Sequence, residues 1–221
     1  MKWTIPNILT VFRLAAAPTV AIVFLVLARP YADWAALALF VLAAVTDWVD
    51  GYLARKLNQQ SKIGTMLDPI ADKAMVIIAL TVLAGTSSLT YWLLLPSVLI
   101  LFREVFVSGL REYLGDVAGT LKVTKLAKWK TTVQMFAIAC LFAQGAFEHR
   151  VGMFVFGMDT QMVSDILSGV EEDVLGLRSA HTLMNAATYL GLILLWIAAG
   201  LTAITWWDYF KKALPHLDED V

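Results

Sequence analysis

A single cysteine in 221 residues leaves no partner with which an intrachain disulfide could form. Cys140 stands between Ala139 and Leu141 inside an apolar run, the setting of a small buried hydrophobe rather than of a reactive thiolate. Charge is scarce as well, at 16% of residues against 59% apolar, with a mean hydropathy of +0.71. Soluble domains carry about a quarter charged residues, so this composition excludes that class and puts the chain in a bilayer. A net charge of −1 gives no nucleic-acid footprint. No linker rich in Gly, Ser or Pro, no low-complexity tract and no repeat of 20–50 residues divides the chain, so residues 1–221 read as a single membrane domain.

What is present is a series of six apolar segments, roughly 8–28, 33–54, 70–90, 91–113, 131–147 and 183–207. Most lie near the ~20 residues that cross a ~30 Å hydrocarbon core as a helix. Lipid offers no partner for a backbone N–H or C=O, so each span must satisfy its own, and an all-α integral membrane protein with six transmembrane helices is expected. The first segment lacks an A-x-A-like exit and is followed by further spans, so it reads as retained. Threading the spans in order puts 14 of the 17 Lys and Arg residues on one side, leaving Arg29, Arg150 and Arg178 on the other. Basic residues mark the cytoplasmic side, which therefore receives both termini. The long connection from Glu148 to Thr182 carries six acids and falls outside; it is longer than two adjoining helices need, and Val151–Phe156 and Val163–Val170 are candidates for a short helix on the outer surface. Trp3, Trp92, Trp206 and Trp207 lie near segment ends and read as interface anchors, while Lys2, Lys211 and Lys212 read as ordinary positive-inside residues. With no targeting presequence, a bacterial inner (plasma) membrane is the expected location.

Four acids break the apolar pattern: Asp47, Asp50, Asp68 and Asp72. An ionised group at helix depth costs a few kcal/mol, so such residues face a cavity and mark function. Asp47 and Asp50 are three apart and Asp68 and Asp72 four apart, so each pair shares one helix face, and a short turn near Asn58 to Ile63 would bring the pairs together. Four converging carboxylates repel one another unless a cation joins them. Oxygen ligands without His or Cys suit Mg²⁺, Mn²⁺ or Ca²⁺ and disfavour zinc; His149 and His181 lie far away in the outer loop. Two ions about 3.5–4 Å apart would suit in-line displacement at phosphorus. Gly51, next to Asp50 in a helix, and the small Ala54 keep that stripe shallow for close approach, and Arg55 supplies a fork for phosphate or pyrophosphate.

The pattern D-x2-D-G-x2-A-R-x8-G-x3-D-x3-D, present here without a gap, resembles the signature of the CDP-alcohol phosphotransferase family. The likeness extends to Pro6–Thr10 with Arg13 and Pro18, to Arg103–Glu112 and to Lys128–Met135, segments similar to those of phosphatidylglycerophosphate synthases; it covers about residues 1–147 and, more loosely, the last helix. The resemblance implies an active site in a polar cavity on the cytoplasmic side, with two Mg²⁺ ions, or Mn²⁺, on Asp47, Asp50, Asp68 and Asp72. It further implies that Asp72 accepts the proton of the acceptor hydroxyl. The CDP-lipid would lie against Asn7, Thr10, Asp47, Asp50, Gly51, Ala54, Arg55, Ser61, Gly64 and Asp68. The implied substrates are CDP-diacylglycerol and sn-glycerol 3-phosphate, giving phosphatidylglycerophosphate and CMP, in a protein surrounded by membrane lipids and commonly homodimeric. The acceptor phosphate needs cations, for which Arg103, Arg111, Lys122, Lys125, Lys128 and Lys130 are available, with Arg111 and Lys130 foremost. Other acceptors (inositol phosphate, serine, choline or phosphatidylglycerol) would use the same aspartates. A cation transporter would instead spread its acids across the bilayer's depth, whereas these cluster at helix ends.

Overall fold

A computed structural model describes residues 4–56, 61–115 and 125–217, without the side chains of residues 48, 50–55, 62, 90 and 125–128. Among the described residues all regular structure is helical. Six long helices are α1 (Ile5–Val26), α2 (Tyr31–Lys56), α3 (Lys62–Thr86), α4 (Thr90–Leu114), α5 (Lys125–Phe154) and α7 (Leu177–Ala213), with the short α6 (Thr160–Ser168) between the last two. By length and hydropathy, three helical stretches qualify as membrane-crossing: Ile5–Val26, Tyr91–Leu114 and Leu177–His216. Helices α2, α3 and α5 are as long but carry charged residues at the end that builds the site.

The expected boundaries shift where capping overrides hydropathy. Helix α3 begins eight residues before its apolar run because Ser61 caps it, its hydroxyl accepting the Gly64 N–H at 3.0 Å. Helix α5 continues through Val151–Phe154, so that stretch is the end of a long helix rather than an outer one, and α7 starts at Leu177, which shortens the connection expected over 148–182 to residues 155–176. Asp173 fixes that start: its carboxylate accepts the backbone N–H groups of Leu177 (2.7 Å) and Arg178 (2.9 Å). The Arg178 amide, then those of Leu177 and Gly176, hold the Asp173 carboxyl below its ordinary pKa, so the cap stays charged into acid. Within the connection Asp159 caps α6 through the Met162 N–H, and Gly169, at φ 91°, ends it.

Helix α1 packs against α2 and α3, α5 against α2 and α7, and α4 against α7 and α3. Small residues line these seams: Ala16 and Ala17 on α1, Ala36 and Ala43 on α2, Ala79 on α3, Ala137 on α5, Ala198 and Ala199 on α7, all buried. Bilayer helices gain no hydrophobic force from meeting one another, so close backbone approach through small side chains supplies the attraction. Gly191 of α7 shows how close: a Cβ there would stand 2.9 Å from Leu141 of α5. Larger side chains, Phe40, Leu80, Ile100, Phe142 and Leu195, fill what remains. Trp206 packs in an aromatic cluster with Phe102 and Phe106 of α4 and Phe210.

At the end of the bundle remote from the four acids, one arginine ties α2, α3 and α5 together. Arg29 donates to both oxygens of buried Asp33 at 2.8 Å, to the Thr86 carbonyl and to the Gly145 carbonyl, both at 3.2 Å. A Cβ on Gly145 would meet Asp33 Oδ1 at 2.6 Å and Arg29 Nη2 at 2.8 Å. Gly145→Ala should therefore force the ion pair apart and lower stability by about 1–3 kcal/mol. Gly152→Ala, on the same helix with open space around its Cβ, should instead hold or raise the melting temperature; thermal unfolding in detergent compares the two.

Candidate active site

Helix order alternates direction, so the start of α1, the end of α2, the first half of α3, the second half of α4 and the start of α5 share one end of the bundle. There a buried arginine organises the acids. Arg13, 2% exposed, donates through Nη1 to Asp47 Oδ1 and to Asp72 Oδ1 (2.5 Å), and through Nη2 to Asp68 Oδ1 (3.2 Å). Thr10, one turn earlier on α1, donates to Asp68 Oδ1 at 2.7 Å. The carboxylates remain about half exposed, with side-chain exposures of 50%, 45% and 52% for Asp47, Asp68 and Asp72. Arg13 thus lies buried beneath three carboxylates that stay about half exposed.

The expected convergence of the α2 and α3 acids therefore holds for Asp47, Asp68 and Asp72. Asp50, Gly51, Ala54 and Arg55 lie in the last turns of α2, and their side chains are outside the described residues. Among the described residues no three acidic, His or Cys side chains stand close enough to form a ready-made metal cage. The donor set is nonetheless one of hard carboxylate oxygens, with no soft ligand, and fits a hard divalent cation.

Asn7, Ser61 and Gly64 form a second junction between α1 and α3. Ser61 Oγ donates to Asn7 Oδ1 at 2.7 Å while capping α3. A Cβ on Gly64 would stand 2.8 Å from Asn7 Oδ1, so the glycine lets α1 approach. Pro69, between Asp68 and Asp72, has no N–H to give the Thr65 carbonyl, loosening the helix where it presents its acids.

The basic residues on α4 and α5 are less free than their sequence suggests. Arg103 and Lys130 both pair with Glu104 Oε1, at 3.0 and 2.5 Å, and Lys130 is buried. Lys73, next to Asp72, donates to Ser108 Oγ at 2.6 Å. Arg111 is exposed and stacks over the Tyr209 ring at 5.5 Å. Lys122 lies outside the described residues, as do the side chains of Lys125 and Lys128. Arg13, Glu104, Lys73 and Ser108 had no assigned place in the site from sequence. Arg13 carried a usable signal, being an ionised group three residues beyond Thr10 in an otherwise apolar helix.

From Arg13, Asp47 and Asp72 a cavity of about 530 Å³ runs between α2, α3 and α5. Past Thr131 and Thr132 its walls become apolar, with Phe40, Val41, Met75, Val76, Met135 and Phe136. A charged head thus opens into a hydrocarbon-lined trough, the shape that takes an amphiphile with its polar end at the acids.

Residues 3–209 match the family model described as CDP-alcohol phosphatidyltransferase. A protein of Cereibacter sphaeroides named CDP-diacylglycerol–glycerol-3-phosphate 3-phosphatidyltransferase is 60% identical over 220 residues, covering 100% of both chains. The Rickettsia bellii protein of that name is 38% identical over 96% of both chains. That of Escherichia coli is 41% identical over 64% of this chain and 78% of its own.

The Asn7–Gly64 contact gives a direct test of the α1–α3 junction. Gly64→Ala should lower stability by about 1–3 kcal/mol. Added to Asn7→Ala, which removes the atom that the new Cβ meets, it should cost less than the sum of the two single changes. Additive losses in a double-mutant cycle would place the strain elsewhere.

Proposed function

The chain belongs to the CDP-alcohol phosphatidyltransferase family, and we propose that it transfers the phosphatidyl group of CDP-diacylglycerol to sn-glycerol 3-phosphate, releasing CMP. The observation that carries this reading is a set of half-exposed carboxylates from two helices at the mouth of an apolar trough. The same name on a relative of equal length at 60% identity supports the choice of acceptor.

In this reading Asp47, Asp50, Asp68 and Asp72 would hold two divalent ions, Mg²⁺ or Mn²⁺. Those ions would offset charge on the pyrophosphate and on the departing phosphate of CMP. The acyl chains of the CDP-lipid lie along the trough between α2, α3 and α5, which leaves the pyrophosphate over the aspartates. Asn7, Thr10, Gly51, Ala54, Arg55, Ser61 and Gly64 border the CDP portion. Asn7, Ser61 and Gly64 act together, because the Ser61 hydroxyl that caps α3 also orients the Asn7 amide.

Arg111 and the cations grouped around Glu104 receive the acceptor's phosphate and set its free hydroxyl toward the lipid phosphorus. A new P–O bond forms to that hydroxyl oxygen as the P–O bond to CMP breaks. Asp72 accepts the hydroxyl proton while the bond forms, and CMP leaves with the bridging oxygen. The six long helices cross the membrane, both termini and the site face the cytoplasm, and residues 155–176 with α6 lie on the opposite surface. The protein acts in the inner membrane as a homodimer and as one domain over residues 1–221.

Purified protein with Mg²⁺ and CDP-diacylglycerol should release CMP with sn-glycerol 3-phosphate and not with inositol phosphate, serine or phosphatidylglycerol. Asp72→Asn should lower turnover on the order of 10²–10⁴-fold, and Arg111→Ala should raise the acceptor KM with less effect on kcat. Release with a different acceptor would overturn the substrate, and near-normal turnover in Asp72→Asn would overturn the base.

A further inference from the structure

Arg13 belongs to no acceptor or nucleotide contact proposed above, yet among the described residues it is the most buried charge at the site. It reaches carboxylates on two helices other than its own: Asp47 on α2, and Asp68 and Asp72 on α3. Taking a guanidinium out of water is costly unless several anions meet it, and among the described residues three meet it here. The same pairs serve the carboxylates, which would otherwise repel one another with no cation between them. Each of the three acids keeps about half of its side chain exposed while meeting the arginine. That exposed half gives a divalent ion access to the acids with the arginine in place.

We propose that Arg13 is a positioning residue, a resident cation that holds the aspartates of α2 and α3 in their converged arrangement before divalent metal arrives. The inference rests on the reading of these acids as metal ligands and adds what keeps them assembled when empty. A planar fork is suited to it, because one guanidinium nitrogen spans Asp47 and Asp72 while its neighbour reaches Asp68. With two divalent ions bound, four carboxylates are matched in charge, and Arg13 leaves one positive charge over, which favours an incoming pyrophosphate. Thr10 supports the arrangement by holding the Asp68 oxygen that Arg13 also uses.

Thermal unfolding of the full chain in detergent, in EDTA and then with saturating Mn²⁺, tests this without any assay of turnover. In EDTA, Arg13→Gln should melt roughly 5–15 °C below the unsubstituted protein. Mn²⁺ should close most of that gap, since the ions then take over the neutralisation. Adding Asp47→Asn to Arg13→Gln should recover part of the loss in EDTA, because one of the repelling charges is gone, an effect that lost packing would not produce. Should Arg13→Gln fail to accumulate, Arg13→Lys, which keeps the charge without the fork, should show the same Mn²⁺-closed gap at smaller size. No gap in EDTA, or a gap that persists undiminished while Mn²⁺ stabilises the unsubstituted protein, would overturn the role of Arg13 alone. Mn²⁺ without effect on any of these proteins would overturn the metal reading beneath it as well.

Discussion

A buried guanidinium shared by carboxylates from two neighbouring helices is the interaction around which the active end is arranged. Burying an ion costs several kcal/mol unless its partners are close and numerous, so Arg13 can lie at 2% exposure only if α1, α2 and α3 meet at one depth and rotation. The small residues of the seams make that meeting possible, with Ala16 and Ala17 on α1 close to the turn that carries Arg13 and Ala43 one turn before Asp47. Thr10 and Asn7 extend the contact along α1 toward Asp68 and Ser61. The core and the site are therefore one construction, because the packing that fixes helix depth also fixes where the carboxylates stand.

Arginine serves at both ends of the bundle, in different ways. Arg29 closes the far end by satisfying a buried Asp33, the carbonyl that ends α3 and a carbonyl within α5, leaving little of it to offer a ligand. Arg13 leaves its three partners about half exposed, and two of them, Asp47 and Asp72, line the trough between α2, α3 and α5. The same residue type is structural where the ion pair is enclosed and preparatory where half of each partner is left to solvent. Glu104 plays a matching part for the cations of α4 and α5, pairing Arg103 and Lys130 where unopposed positive charges would repel.

Much of this was legible in the sequence because it depends on local rules. The positions of the long helices follow from apolar runs, and the pairing of Asp47 with Asp50 and of Asp68 with Asp72 follows from helical spacing. What was not legible depends on partners distant in sequence. The sequence singles out Asp47, Asp68 and Asp72 as acids needing a cation, but their partner Arg13 lies 34 to 59 residues away. Arg103 and Lys130 read as cations awaiting phosphate because Glu104, adjacent to one of them, is 26 residues from the other. The connection is shorter than the Glu148 to Thr182 stretch that hydropathy marks, because Asp173 starts α7 by capping and α5 continues through Val151–Phe154.

On this reading the gathered aspartates form a metal site serving phosphatidyl transfer. Mn²⁺ titration of the purified protein followed by electron paramagnetic resonance addresses it most directly. Two Mn²⁺ ions per chain, with spin coupling that marks them as neighbours and that disappears in Asp68→Asn, is the predicted result. Absence of bound Mn²⁺, together with CMP release that EDTA does not diminish, would contradict it.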